Sequence, residues 1–498
     1  MRIGCGVLVV AALVLILAML WGRMGVYAGG SDSSGYANNA KLILKGRLFA
    51  EQRRIWDVTT PLSDFTFIPL GFIPRGESQM VPAYPLGLSA LFAAASVGTS
   101  LDFGMTLAIW LMAAGSLVVT YLLARQQGLG RGWAVLCAGI LAACPLFLFM
   151  AQQAMSDMPA MLWTTVALVL AWASRRRAWL AVVAGLAVAM AVFIRPSNIL
   201  IFLPLVLALG WDWRRWLWLG LGGAPGGVLW LMTNHMLFGR YVATGYGSVG
   251  ELFGWQNVLP TLRNYAEVLP WLLPLGLFGL FSFSWRRRTA EQRTAWGMAA
   301  TWVLACMIFY AFYRYTHETW WYLRFIIPAF PALIVLSVLG LRWAYMQLRG
   351  SAGRPAWREA MAVAALLLAI LGGLCVQLAA VQRRHALDAG IGERAYPEAC
   401  EWVRRNLPAD SVVFTMQMSG ALFYAGPQVV VRWDSLDIER SGAVCAAAGR
   451  AGRQVFAVFF PFEVEEAFGR KLAGRWTRIG NVRQITIWRL ADPTGTMP

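Results

Sequence analysis

Two aspartates and two arginines hold most of the chemical potential of this sequence. Asp32 stands in GGSDSSGY, just after the first apolar run, and Asp157 stands in AMSDMPAML, between two later runs. Arg195 closes an apolar run in FIRPSN. Arg324 opens another in HETWWYLRFIIPAFPAL, with His317 and Glu318 a few residues before it. A carboxylate within hydrogen-bond reach of a hydroxyl can take its proton. The planar fork of an arginine presents paired donors that match a phosphate. Acids and arginines on one rim therefore suit deprotonation of an acceptor together with stabilisation of an anionic leaving group. Tyr36 and Tyr84 offer faces for stacking on sugar or lipid, although an interfacial belt or plain packing suits them better.

Each charged residue also has a plainer reading. Asp32 suits a solvated turn. Asp157 suits the N-cap of a helix starting at Met158, with Pro159 in the first turn, where proline is tolerated. Capping and catalysis are compatible. Arg195 and Arg324 suit helix-end anchors that snorkel at small cost.

The elements that must position these residues are membrane helices. The chain has 498 residues, 58% apolar, with a mean hydropathy of +0.56 and only 14% charged residues. Soluble domains carry about 25% charged residues. Several apolar runs approach or exceed the ~18 residues of a spanning helix. The expected fold is a polytopic α-helical membrane protein. Residues 3–21 form the first run, too long for a signal-peptide core and so read as a retained helix. Residues 23–102 are mixed and read as a large first outer loop. Within it, GYANNAKLILKGRLFA has the pattern of an interfacial helix, and VPAYPLGLSALFAAASVG that of a short re-entrant or juxtamembrane helix.

Spans then alternate with arginine clusters: Arg125 and Arg131, Arg175 to Arg177, Arg214 and Arg215, Arg286 to Arg288 with Arg293, and Arg342, Arg349, Arg354 and Arg358. The expected total is about eleven spans, one of them GWAVLCAGILAACPLFLFM at 132–150 and the last four at about 269–285, 296–313, 325–343 and 359–381. A cytoplasmic N-terminus and an outer C-terminus put every major cluster inside. Asp32 and Asp157 then share the outer surface. The net charge of +18 is thereby explained by topology, and nucleic acid is excluded as a partner. The 25 tryptophans, many near helix ends, suit an interfacial belt.

Residues 1–381 form the expected transmembrane domain and 382–498 a small extracytoplasmic α/β domain. In the latter, AYPEACEWVRRNLP reads as a helix, PQVVVRWDS, RQVFAVFF and RQITIWRL as strands, and PFEVEEAFGRKL as a helix. It holds no nucleotide-binding glycine pattern and no nucleophile triad. Of seven cysteines, five lie in apolar runs, while Cys400 and Cys445 lie in the tail, where an oxidising compartment would allow them to pair. No cysteine spacing resembles a zinc or iron–sulfur site.

The order of these features resembles the GT-C superfamily of membrane glycosyltransferases, in its protein-mannosyltransferase and aminoarabinose-transferase-like branch, that is, glycosyltransferase family 39-like. The carrying segments are GGSDSSGY, PAYPLGLSAL, MSDMPAML, FIRPSNIL, NHMLFGRYVATGY and RFIIPAFPAL, in that order, followed by a soluble tail. The resemblance implies a first-loop acid as general base, here Asp32, and a second acid that shapes the site, here Asp157. It departs in two places. Asp32 is followed by Ser33 where many relatives have a second acid, and Tyr84 stands where aminoarabinose-transferase relatives often carry lysine.

The expected activity is transfer of a sugar from a polyprenyl-phosphate donor to a hydroxyl at the outer face of the inner membrane, with inversion at the anomeric carbon. Asp32 and Asp157 are the catalytic candidates. Tyr36, Tyr84, Arg195, His317, Glu318 and Arg324 are the substrate-binding candidates. No cofactor is required in this reading, and a divalent metal stays open. The partners are the lipid-linked donor, membrane lipids and a glycan, lipid or protein acceptor. Two other readings stand beside it: a transporter or flippase of a lipid-linked glycan, and a non-catalytic assembly subunit whose tail is the binding module.

Overall fold

The computed structural model describes residues 2–247, 249–283, 289–350 and 355–492. Arg286 to Arg288 and Arg354, assigned above to the inner face, lie outside the described residues. The chain opens with α1 (Arg2–Arg23) and α2 (Ser31–Leu44). Three short strands follow, β1 (Ala50–Glu51), β2 (Phe72–Arg75) and β3 (Gln79–Pro82), pairing antiparallel in the order β1-β3-β2. Then come α3 (Leu86–Ala95), α4 (Leu101–Gln126), α5 (Arg131–Ala143), α6 (Pro145–Met150), α7 (Asp157–Ala173), α8 (Leu180–Ile194), α9 (Phe202–Leu209) and α10 (Trp213–Phe238). After α11 (Val249–Leu252) and α12 (Val258–Leu272), the bundle closes with α13 (Ala290–Ala311), α14 (Phe330–Arg349) and α15 (Ala356–Arg383).

Among the described residues, four helices are long and apolar enough to cross a membrane: α4, α13, α15 and the continuous stretch Trp320–Arg349. A fifth arises if Trp255–Leu272 and Gly276–Ser282, bent by 102°, form one broken span. Together they make this a multi-pass membrane protein. Eleven uniform spans are not what length and composition yield, and the reason is local. The run expected at 132–150 is split at Cys144, which is extended (ψ 123°) because Pro145 bars it from helical geometry. The run expected at 269–285 is broken at Leu273, which leaves helical geometry (φ −135°, ψ 72°) before Pro274. Helix α10 has 26 residues, but its middle, GLGGAPGG, is poor in large apolar side chains. Those small residues have another use. A Cβ on Gly185 would fall 2.1 Å from the Leu219 carbonyl oxygen, and one on Gly222 would fall 1.9 Å from that of Val182. Helices α8 and α10 therefore cross backbone to backbone, as small residues allow in lipid.

The C-terminal part contains α16 (Ala389–Glu393), α17 (Ala395–Asn406), β4 (Val412–Phe414), α18 (Ser419–Ala425), β5 (Val429–Val431), α19 (Ile438–Arg450), β6 (Val455–Phe459), α20 (Pro461–Glu466), β7 (Arg475–Val482) and β8 (Ile485–Asp492). Its strands form one sheet in the order β5-β4-β6-β8-β7. The first three are parallel and β8 and β7 are antiparallel. Strands β4 to β6 are buried along their length, as strands covered on both faces must be. Val412 and Phe414 point to one core with Cys445, and Val413 points to the other with Cys400. The two cysteines thus lie on opposite faces of the sheet, and both are free.

This sheet does not stand alone. Ile55 and Phe67 of the first loop enter its core. Arg432 N–H donates to the Thr66 carbonyl at 2.8 Å, and Arg440 and Arg450 donate to the carbonyls of Pro61 and Asp57. Helix α18 packs on α2, where Asn38 Nδ2 donates to the Gly420 carbonyl at 2.9 Å and Lys41 Nζ to that of Tyr424 at 2.7 Å. The tail therefore braces the helix that carries Asp32.

Candidate active site

Helix α2 begins at Ser31, so Asp32 lies in its first turn. The preceding Gly30 has φ +53°, a left-handed value that glycine adopts at no steric cost. This bend turns the chain from α1 into α2 within a few residues. An acid in a first turn is favoured by the helix dipole.

Asp157 is the first residue of α7 and is fully buried. The N-cap position is Ser156, whose side chain makes no capping bond. The plainer reading of Asp157 as an N-cap is therefore corrected: its carboxylate is drawn instead to arginines. Arg195 Nη2 donates to Asp157 Oδ1 at 2.7 Å and to Ser156 Oγ at 2.9 Å. Arg195 can reach because Pro196 ends α8: the residue before proline is extended, with ψ 107°.

Arg324 lies in a 3-10 segment, Trp320–Ala329, that leads into α14. Its Nη2 donates to Asp32 Oδ2 at 2.7 Å, and its Nη1 is 3.7 Å from Asp157 Oδ2. The guanidinium carbon lies 5.1 Å from the Phe325 ring centroid and 5.4 Å from that of Trp321. The Phe325 ring is also 6.0 Å from the Arg195 guanidinium. Two acids and two arginines thus form one mixed cluster beneath aromatic rings.

The cluster leaves two donors and one acceptor unused. Arg195 Nη1, Arg324 Nε and Asp157 Oδ2 are buried with no hydrogen-bond partner. An unsatisfied buried donor costs about 1–3 kcal/mol. Such donors, spread over two guanidinium groups, are a ready receptor for an oxyanion. A divalent cation fits poorly, because each carboxylate is already paired with an arginine. Among the described residues no group of three or more His, Cys, Asp or Glu is arranged for a metal.

Tyr84 links the cluster to the loop: its hydroxyl is 2.6 Å from Ser31 Oγ, and its ring lies 5.1 Å from Tyr36 and 5.8 Å from Tyr246. Burial raises the Asp32 carboxyl, but the Arg324 charge and hydrogen bonds from Tyr84 and Arg324 outweigh it. The net result lies below the ordinary aspartate value. Burial and the Asp32 charge push the Tyr36 phenol up to about 12. At neutral pH, Asp32 is an anion and Tyr36 a neutral donor.

Of the sequence candidates, Asp32, Asp157, Arg195 and Arg324 converge, with Tyr36 and Tyr84 beside Asp32. His317 faces Thr261, with Nδ1 3.4 Å from its hydroxyl, and Glu318 is exposed. Neither contacts the cluster through a hydrogen bond or ion pair among the described residues. Sequence reasoning missed Ser31, Ser156 and Tyr246. The segment NHMLFGRYVATGY ends on Tyr246, so a signal for it was present in the resemblance. It also missed Tyr310, whose hydroxyl lies 2.6 Å from Ser197 Oγ and whose ring stacks on Phe325 at 5.5 Å.

Several solved structures share this architecture. ArnT from Cupriavidus metallidurans bound to undecaprenyl phosphate superposes with a TM-score of 0.59 at 15% identity, covering 100% of both chains. The chain has the GT-C fold. An Archaeoglobus fulgidus oligosaccharyltransferase tethered with an acceptor peptide gives a TM-score of 0.53 at 13% identity over 92% of this chain and 69% of that one. The mycobacterial arabinofuranosyltransferase AftD gives 0.53 at 12% identity over 98% of this chain and 41% of that longer one. No protein-family model matches the sequence, and no curated protein matches it. The GT-C likeness is thus carried by the fold and by the order of short segments.

Proposed function

We propose that this protein is a membrane glycosyltransferase that moves a sugar from a polyprenyl-phosphate donor to a hydroxyl acceptor at the outer face of the inner membrane. The observation that carries this reading is the buried Asp32–Arg324–Asp157–Arg195 cluster with unused arginine donors. The undecaprenyl phosphate bound to the ArnT structure supports the donor class.

In this mechanism the donor phosphate sits against Arg195 and Arg324. Arg324 then divides its charge between phosphate and Asp32, which raises the basicity of Asp32 at the moment it is needed. Asp32 takes the proton of the acceptor hydroxyl. The acceptor oxygen forms a bond to the anomeric carbon, and the bond from that carbon to the phosphate oxygen breaks. The electron pair leaves with the polyprenyl phosphate, whose growing charge the arginines stabilise. One in-line displacement inverts the anomeric centre. Asp157 orients both arginines. Tyr36 and Tyr84 flank the acceptor hydroxyl, and His317 and Glu318 lie toward the rim.

The reading places the N-terminus in the cytoplasm and residues 382–498 outside, as a domain that shares its core with Ile55 and Phe67 of the first loop. The shorter apolar helices complete about eleven crossings, and no metal is required. The alternatives have less support. A flippase needs polar groups along a path at mid-membrane, whereas these charges gather at helix ends.

The test is release of polyprenyl phosphate from a panel of polyprenyl-phosphate sugars by purified wild type and Asp32→Asn. The expected loss is at least about 100-fold, the size of a general-base contribution. A folded Asp32→Asn protein with full transfer activity overturns the mechanism.

A further inference from the structure

A cavity of about 170 Å³, walled by both polar and apolar groups, lies where the first loop, the start of α4 and the C-terminal helices meet. Its walls include Tyr27 and Ala28, which precede the Asp32 turn, Asp102 in the first turn of α4, Glu401 and Arg404 of α17, and Tyr424 of α18. No part of the proposed mechanism uses it.

The cavity is preorganised. Lys41 Nζ donates to the Tyr424 carbonyl at 2.7 Å and lies 4.9 Å from the Tyr424 ring centroid. The Tyr424 hydroxyl donates to Asp102 Oδ1 at 2.9 Å. Arg404 grips Glu401 through two bonds of 2.9 and 2.8 Å, and Arg405 adds a third contact at 2.6 Å. The Tyr27 hydroxyl has no hydrogen-bond partner among the described residues.

The charge pattern selects among ligands. Both carboxylates already have donors, and Arg404 is already paired, so neither an anion nor a cation is favoured. What remains is a surface of fixed carboxylate oxygens, guanidinium and phenol groups beside two aromatic rings. That is a surface for a neutral ligand rich in hydroxyls. The volume is close to the ~150 Å³ of a cavity that holds one benzene ring. That is room for a single six-membered ring.

We propose that this cavity binds one pyranose-sized sugar ring of the acceptor. This deepens the transferase reading and rests on it for the word acceptor, but sugar binding itself does not need turnover. The ring is held against Tyr27 and Ala28, on the segment that leads directly to Asp32. Acceptor binding thereby orders the turn that carries the base.

The test is saturation-transfer NMR on the full-length protein in detergent, with methyl glycosides of mannose, glucose, galactose and N-acetylglucosamine as probes. At least one glycoside is expected to receive saturation. Its affinity is expected to fall about tenfold in Glu401→Gln and in Tyr27→Ala, the size of one lost hydrogen bond. Tyr424→Phe, which removes only a hydroxyl, guards against misfolding of the larger truncation and is expected to weaken binding in the same direction. Saturation of no glycoside, or equal affinity in all variants, overturns the proposal. Polyprenyl phosphate release is measured on the same preparations. Glycoside binding without release leaves the cavity standing and sinks the transferase reading. Release without glycoside binding does the reverse.

Discussion

Arg324–Asp32 and Arg483–Glu398 are both short arginine–carboxylate pairs, yet they do different things. Arg483 binds Glu398 through two bonds of 2.6 and 2.7 Å, joining the β7–β8 turn to α17, with side chains 36% and 45% exposed. Arg324 binds Asp32 through one bond of 2.7 Å, with exposures of 10% and 27%. By geometry the surface pair is the better made. Water screens it, so its worth is about 0–1 kcal/mol. The buried pair is less complete and far more consequential, since removing one partner leaves a charge with little water to solvate it. The incomplete pairing is the useful property, because a satisfied arginine has nothing left for a phosphate.

Three measurements sharpen that contrast, in falling order of effect. Arg195→Ala leaves the Asp157 carboxylate without its partner at 2.7 Å. Thermal unfolding in detergent is expected to show a loss of about 3–5 kcal/mol. A loss as small as a surface pair gives would mean that the cluster is solvated. Next, the pH dependence of sugar transfer reads Asp32. Its carboxyl lies below the ordinary value of 3.8 in the folded protein. It therefore stays ionised as pH falls, and the acid limb of the transfer rate is expected below 3.8 in free enzyme. The sign for stability is the same: the contribution is present above the unfolded value and is lost as pH falls through the depressed one. An acid limb above 3.8 would assign the titration to another group. Last, Glu398→Gln is expected to change stability by no more than about 1 kcal/mol and to leave transfer unchanged. A large loss of transfer would show that α17 is coupled to the cluster through this contact.

Parts of the site were legible because their signals are local. Arg195 before Pro196 and Asp157 before Pro159 are placed by backbone rules that act over one or two residues. Helix α17 was visible from its amphipathic pattern. Helix α19 and strand β7 were not. Strand β7 is an edge strand in which Trp476 is buried while most of its neighbours face solvent, so it shows no apolar run. The split of the expected span at 132–150 was also missed, although Cys144-Pro145 announces it, because a hydropathy window averages across a proline.

Composition, the order of apolar runs and the positions of the arginine clusters determined, by themselves, that this chain is a multi-pass membrane protein, and they singled out the acids and arginines at helix ends. Those properties are sums over local residues, and one chain suffices to read them. Only the tertiary structure decided which arginine meets which acid. Arg324 is 292 residues from Asp32, and Arg195 is 38 from Asp157. Contacts at such separations depend on how the helices pack and where prolines break them, and no local pattern encodes that. The same holds for the bracing of α2 by α18: its hydrogen bonds run from first-loop side chains to tail carbonyls, and every non-proline residue carries that same backbone group. A backbone acceptor leaves no mark in the residue types, so the contact exists only once the chain has folded.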